Sequence, residues 1–323
     1  MKNYIVFDLE WNQSPDGKEC SNDKIPFEII EIGAVKLDKK LNVVSEFRKM
    51  IKPEIYQEMH FKISEVTHMN MEELMSQGEA FPVAAAEFIE WCGEDSVFCT
   101  WGSMDLTELQ KNLAYYGIPN PFPWPLFYFD IQKLYSLLYG DGKMKSSLDM
   151  AAAELNILEE RPFHRALDDA YYTGKIMRTM NFDDIKDYLS LDYYRVPQTK
   201  DEEIYMVFPS YSKYVSRVFE TKEDAIADKT VTDMICYRCK RMLRKKIRWF
   251  SSNQKFYFGL AVCPEHGFLK GKIRMKKTAD GKVFAVRTLK LVGDEGADLI
   301  FKKREEIRKR RNEKNRQKRK REN

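Results

Sequence analysis

The sequence predicts an α/β first domain, a mixed five-stranded sheet flanked by helices, followed by a small β-rich domain and a basic tail. Three observations carry this. Strand-like runs of β-branched and aromatic residues come early and close together, then give way to alternating helical and strand patterns, the signature of one sheet covered by helices. Hydrophobic residues make up 43% of the 323-residue chain, enough for a packed interior, and the length suits two domains rather than one. The net charge of +4 is a sum of unlike halves: residues 1–200 hold 21 Lys/Arg and 33 Asp/Glu (−12), and residues 201–323 hold 33 and 17 (+16). An acidic front joined to a basic back points to one part that does chemistry and another that holds a polyanion.

In chain order, Tyr4–Glu10 reads as a buried strand, and Ser14-Pro15-Asp16-Gly17 as the loop that follows. Residues 27–37 and 43–51 form two further strands around an Asp38-Lys39-Lys40 turn. From Pro82 the period becomes helical, with Ala84, Ala85, Phe88 and Trp91 on one face. A short strand over 96–101 leads to a helix over 105–116 that Gly117 and Pro119 close. A fifth strand covers 127–131, and helices cover 147–156 and 166–180. The first domain is expected to span 1–195, where an acidic linker begins, and a smaller β-rich domain 203–300, with strands over 255–262 and 283–291. The tail, 301–323, holds 13 basic and four acidic residues and almost no apolar ones, so it is a solvated helix or disordered.

No apolar run reaches the length of a membrane span, and the N-terminus is charged too early for a signal peptide; a cytoplasmic protein with no membrane partner is expected. Cys20, Cys92 and Cys99 lack any ligand spacing and read as reduced thiols.

Asp8 and Glu10 stand two apart in a strand, so both side chains leave the same face. In so apolar a strand, paired carboxylates are costly without a cation between them. Asp105 follows the 96–101 strand and a Trp101-Gly102-Ser103-Met104 turn, at the sheet edge where open sheets place their ligands. His164 lies on a loop kept extended by Pro162, and Asp169 lies in the first turns of the next helix. Asp168 reads as a solvated helix residue.

Asp8-Leu9-Glu10, Trp101-Gly102-Ser103-Met104-Asp105, and His164 with Asp169 five positions on resemble the three motifs of the DEDDh exonucleases, 3′→5′ exonucleases on an RNase H-like fold. Residues 27–35 are similar to that family's second strand, and the resemblance covers about residues 1–190. Within the family, Asp-Leu-Glu-Trp and Trp-Gly-x-x-Asp look most like the branch containing the histone-mRNA exonuclease and the KapD-type sporulation inhibitors. The resemblance implies a metal-dependent exonuclease acting on single-stranded 3′ ends, RNA favoured over DNA, and releasing 5′-mononucleotides. Two Mg²⁺ or Mn²⁺ ions would be held by Asp8, Glu10, Asp105 and Asp169, because hard cations take oxygen ligands. His164 would be the general base. Where many members have a Leu/Ile-Thr-Gly-Ile segment, this chain has Ile63-Ser64-Glu65-Val66-Thr67, which leaves Ser64 as the substrate contact carried over. Trp11 either stacks on the terminal base or packs at the strand end.

Cys236-x-x-Cys239 and Cys263-x-x-His266 are two knuckles 23 residues apart, and thiolates with imidazole at this spacing read as one structural Zn²⁺ site in a zinc-ribbon-like domain. The 13 residues from Cys236 to Arg248 include seven bases and no acid. Arg238, Arg241, Lys245 and Arg248, with aromatic residues nearby, are read as substrate-binding. The competing reading is a nucleic-acid-binding regulator with little activity, or a C-terminal module that docks a protein partner.

Overall fold

The computed structural model describes residues 3–142, 144–253 and 255–322, which form two compact units that divide between Arg195 and Val196. The first unit begins with β1 (Asn3–Asn12), β2 (Glu28–Leu37) and β3 (Val43–Met50), an antiparallel meander. Then come α1 (Phe61–Thr67), α2 (Met71–Gln77), α3 (Phe81–Cys92), β4 (Ser96–Thr100), α4 (Met104–Tyr115), β5 (Phe127–Asp130) and α5 (Ile131–Tyr139). The unit closes with α6 (Leu148–Glu154), α7 (Ala166–Thr179), α8 (Phe182–Ile185) and β6 (Ser190–Leu191). The sheet order is β3-β2-β1-β4-β5-β6, with β4 and β5 parallel to their inner neighbours.

This sheet has six strands, not the expected five. The extra one, β6, pairs only Ser190 and Leu191 with β5, too short a run to carry a period. Alternation along β1 separates two cores. Ile5, Phe7 and Leu9 join α3 and α4 on one face; Val6 joins α5, α6 and α7 on the other. Asp8 and Glu10 continue the Val6 side, toward α7. Cys92 and Cys99 are buried free thiols, burial pushing Cys92 up to about 12.

The second unit holds β7 (Ile204–Val207), β8 (Tyr211–Val215), α9 (Lys222–Ala227), α10 (Lys229–Thr232), β9 (Lys245–Asn253), β10 (Phe256–Cys263), β11 (Gly267–Lys277), β12 (Val283–Val292) and α11 (Asp294–Glu322). Its sheet order is β7-β8-β12-β11-β10-β9, antiparallel throughout. It is more than a small ribbon, because β11 and β12 run for 11 and 10 residues and pair along their length. The basic tail is helical, and its helix starts at Asp294 rather than at 301. Ala297 and Ile300 pack against Ile247, Phe258 and Leu260, an apolar anchor that the tail's composition conceals. Among the described residues no helix is long and apolar enough to cross a membrane.

Candidate active site

The site forms where β1 runs past its parallel neighbour. Pairing of β1 with β4 ends at Val6–Cys99, so residues 8–10 extend beyond the edge of β4. A β-bulge between Glu10 and Trp11 ends the regular register with β2, a feature common beside active sites. Asp8, Glu10 and Asp169 each offer an oxygen, and the three atoms lie within 4.8 Å of one another. Asp105, 5% exposed at the start of α4, stands beside this triad rather than in it, where the backbone N–H groups of Asp105 and Leu9 draw its carboxyl down against the effect of burial.

Four carboxylates crowded this closely perturb one another. Burial, then the charges of Asp105, Glu10 and Asp169, push Asp8 well up. Burial and then Asp169 raise Glu10 to about 9, against a small opposing pull from Arg165. Asp105 rises to about 7 because burial outweighs its two backbone hydrogen bonds. Asp169 rises to about 6, burial outweighing the His164 N–H and the His164 charge. A donor set of oxygens that resist ionisation together fits a divalent cation, which removes the repulsion.

The sign of the pH effect follows. These groups bind protons in the folded state at pH values where the unfolded chain, titrating near pH 4, has lost them. The stability these four groups contribute to metal-free protein is therefore fully present below about pH 4 and is lost as pH rises toward about 9, the folded value of Glu10. Mg²⁺ or Mn²⁺ should raise the melting temperature more at pH 8.5 than at pH 5.5, with affinity rising about tenfold per pH unit for each proton displaced. Melting curves at both values check this; an equal metal effect at the two would contradict the coupling.

The elements that hold Asp169 were not visible in the sequence. Glu31 lies opposite Glu10 on β2 and is completely buried. It pairs with Arg48 at 2.7 Å and Arg165 at 2.9 Å, and accepts the Ala166 N–H at 3.0 Å. Burial pushes its carboxyl up, but Arg165 and then Arg48 outweigh this and leave it below its ordinary value. Arg165, the residue before α7, makes no side-chain cap, so Glu31 caps that helix from another strand. An acid inside the apolar run Ile29-Ile30-Glu31-Ile32 was the available signal. Gly33, opposite Asp8, is where α7 touches β2: a Cβ there would overlap the backbone of Ala166 and Leu167.

His164 is exposed, has a left-handed backbone (φ 67°) and donates its N–H to Asp169 Oδ1 at 3.1 Å. Such a conformation costs a non-glycine residue about 1–3 kcal/mol and persists where surroundings enforce it. Asp168 is 3.6 Å from Arg161, an ion pair rather than a free helix residue. Trp11 packs at the rim of the core, its ring 5.8 Å from that of Phe27. Ser64 lies in α1, where its hydroxyl donates to the Met69 carbonyl at 3.0 Å. Phe61, a neighbour that sequence reasoning passed over, is 66% exposed and stacked on His60, whose N–H donates to Asn12 at the end of β1.

In the second unit, Cys236, Cys239, Cys263 and His266 converge. Cys239 Sγ and Cys263 Sγ are 3.5 Å apart, and His266 Nδ1 lies 3.5 Å from Cys263 Sγ and 3.7 Å from Cys236 Sγ. A tetrahedral zinc with its usual bond lengths sets such ligand edges at about 3.5–3.8 Å, so the donors fit the ion. One knuckle sits on the short Ile235–Met242 bridge and the other at the β10–β11 turn. Purified chain is expected to carry one zinc and Cys263→Ser to lose it, as read by metal analysis. Of the basic candidates nearby, Arg241 pairs with Glu265 at 2.8 Å, Arg238 and Arg248 are exposed, and Lys245 is half-buried at the start of β9.

A family model described as Exonuclease (RNase_T) matches residues 5–177. No curated protein matches the chain. Among solved structures, the nuclease domain of 3′hExo, a DEDDh family member bound to rAMP, is 20% identical, with 59% of this chain and 96% of that one covered and a TM-score of 0.48. E. coli exonuclease I in complex with a dA16 oligonucleotide is 13% identical, with 81% and 55% covered and a TM-score of 0.50, a likeness of fold. The match thus spans just over half of the exonuclease I chain.

Proposed function

Because the chain belongs to this exonuclease family, whose model spans residues 5–177, we propose that it is a cytoplasmic, metal-dependent 3′→5′ exonuclease that releases 5′-mononucleotides from single-stranded nucleic acid, RNA favoured over DNA. The observation that carries the reading is the convergence of Asp8, Glu10 and Asp169 within 4.8 Å, with Asp105 buried at the start of α4 and its charge felt by Asp8 and Glu10. These four carboxylates would hold a pair of Mg²⁺ or Mn²⁺ ions, which supply charge neutralisation at the phosphate and acidify the attacking water. His164 takes the proton of that water as its oxygen attacks phosphorus and the bond to the 3′-oxygen breaks; the leaving oxygen then takes a proton from solvent. Its exposed position lets the ring exchange that proton with bulk water. Phe61, Trp11 and Ser64 are the candidate contacts to the terminal nucleotide. Arg238, Arg241, Lys245 and Arg248 are candidate contacts to the nucleic-acid substrate. The Cys₃His cluster binds a structural zinc and makes its surroundings zinc-ribbon-like. The Asp-Leu-Glu-Trp and Trp-Gly-x-x-Asp variants support a place in the branch of the histone-mRNA exonuclease and KapD-type proteins.

Labelled oligonucleotides test the polarity. With Mg²⁺ or Mn²⁺, a 3′-labelled RNA 20-mer should release labelled 5′-mononucleotide from the first time point, while a 5′-labelled one shortens as a ladder. Immediate release of a 5′-terminal nucleotide, or no degradation of either RNA or DNA, would overturn the proposal. His164→Gln should lower kcat by about 10²–10⁴ with KM little changed, as steady-state rates on the labelled 20-mer read.

A further inference from the structure

Strand β11 of the second unit divides its side chains cleanly. Leu269, Ile273 and Met275 point into the cores of that unit, while Lys270, Lys272 and Arg274 line the opposite face. Two more cations join this row. Lys290 of β12 lies directly opposite Lys270, and Lys303 of α11 shares a cleft with Lys270 and Phe258. Like charges directly across a strand pair are destabilising; the cleft, walled on one side by α11, also holds Lys302, Arg310 and one acid, Glu306, so its balance stays positive. Among the described residues, none of these five cations has an ion-pair partner, whereas Arg217, Arg241 and Lys282 of the same unit all pair with carboxylates. The ammonium groups rest on aromatic rings instead: Lys303 lies 4.2 Å from the centre of Phe258 and Lys272 lies 4.7 Å from that of Phe256. Burial and then the neighbouring charges of Lys303 and Lys290 lower the Lys270 ammonium; burial and then Arg274, Lys270 and Lys303 lower Lys272.

The spacing narrows the choice of anion. Alternate residues of a strand stand about 6.8 Å apart, close to the separation of successive phosphates on an extended single strand. Three such positions in line match three phosphates, whereas the phosphates of one strand of a duplex wind away from a straight row. The aromatic rings carry the cations and leave the bases unread. We infer that this face of the second sheet binds the phosphate backbone of single-stranded nucleic acid, without regard to sequence or sugar, at a site separate from the cysteine-knuckle segment. The inference rests on the proposed function only for its choice of nucleic acid as the polyanion.

The test uses the full chain carrying Asp8→Asn, so that binding is read without cleavage, with fluorescein-labelled 20-mers of oligouridylate and oligothymidylate titrated over a range of KCl. Both strands should bind alike. The triple variant Lys270→Ala, Lys272→Ala, Lys303→Ala should reduce the slope of log affinity against log salt by about 2, at about 0.7 per cation, a loss of about 100-fold at 0.1 M salt. Should the triple variant melt early, Lys272→Gln with Lys303→Gln should reduce the slope by about 1.4. An unchanged slope in folded variants overturns the inference, as does tighter binding of a duplex of equal length or equal binding of polyglutamate of matched charge. If native chain fails to degrade any strand while the slopes change as stated, the surface stands and the exonuclease proposal falls.

Discussion

Asp8→Asn is expected to abolish nucleotide release, by at least about 10⁴-fold, while raising the melting temperature of the metal-free protein by a few degrees. Both effects have one cause. Asp8 shares the triad with Glu10 and Asp169, and burial together with Asp105, Glu10 and Asp169 pushes its carboxyl well up. Removing its charge removes repulsion that folding must otherwise overcome above about pH 5. The same change deletes a hard oxygen ligand, and each 1.36 kcal/mol of lost transition-state stabilisation costs about tenfold in rate. Opposite signs separate this from a folding defect, which would lower activity and melting temperature together. Initial rates on a labelled 20-mer, paired with melting curves with and without Mg²⁺, measure both. A variant that is inactive and less stable would contradict the account.

Gly33→Ala should be the most damaging one-methyl change in the first unit. Gly33 faces Asp8 across the β1–β2 pairing, and the added Cβ would overlap backbone atoms of Ala166 and Leu167, which cannot rotate aside. The start of α7 must move, breaking the Glu31–Ala166 hydrogen bond and shifting Asp169, three residues further on. Overpacking against backbone is expected to cost about 3 kcal/mol or more, which lowers the melting temperature by about 10 °C in a unit of this size. Activity should fall by about 10²-fold or more, since a 1 Å misplacement of a reacting group has that effect. Gly174→Ala is the control on the same helix. Its Cβ would meet Val35 Cγ2 at 3.4 Å, an ordinary contact, so the gain in helix propensity should leave stability unchanged or raised by up to about 1 kcal/mol. Similar losses at both glycines would show that α7 resists any added volume and that Gly33 is not special.

Much of the site was legible because its signals are local. Asp8 and Glu10 share a face through the two-residue period of a strand, and the carboxylates do meet with Asp169. The paired knuckles likewise bring Cys236, Cys239, Cys263 and His266 together. Other features left no local trace. Strand β6 has two residues, α1 and α2 have seven each, and the anchor of α11 hides in a charged segment. The hold of the Ser64 hydroxyl on the Met69 carbonyl likewise has no local signal.

The sequence by itself determined the family and the chemical inventory of this protein: an α/β exonuclease domain, a group of carboxylates, a set of three cysteines and a histidine, and a basic second half. Composition and short periodicities are properties of neighbouring residues, so they survive without coordinates. Only the tertiary structure decided what holds that chemistry in place. Glu31 caps α7 from 135 positions away in the chain, and Gly33 lets the same helix come close to Asp8. The second half's charge gathers along Lys270, Lys272 and Arg274 as well as in the knuckles, because register puts Lys290 and the Phe256 ring beside that row. Those choices depend on which distant backbones pair, and pairing is set by the packing of the whole chain.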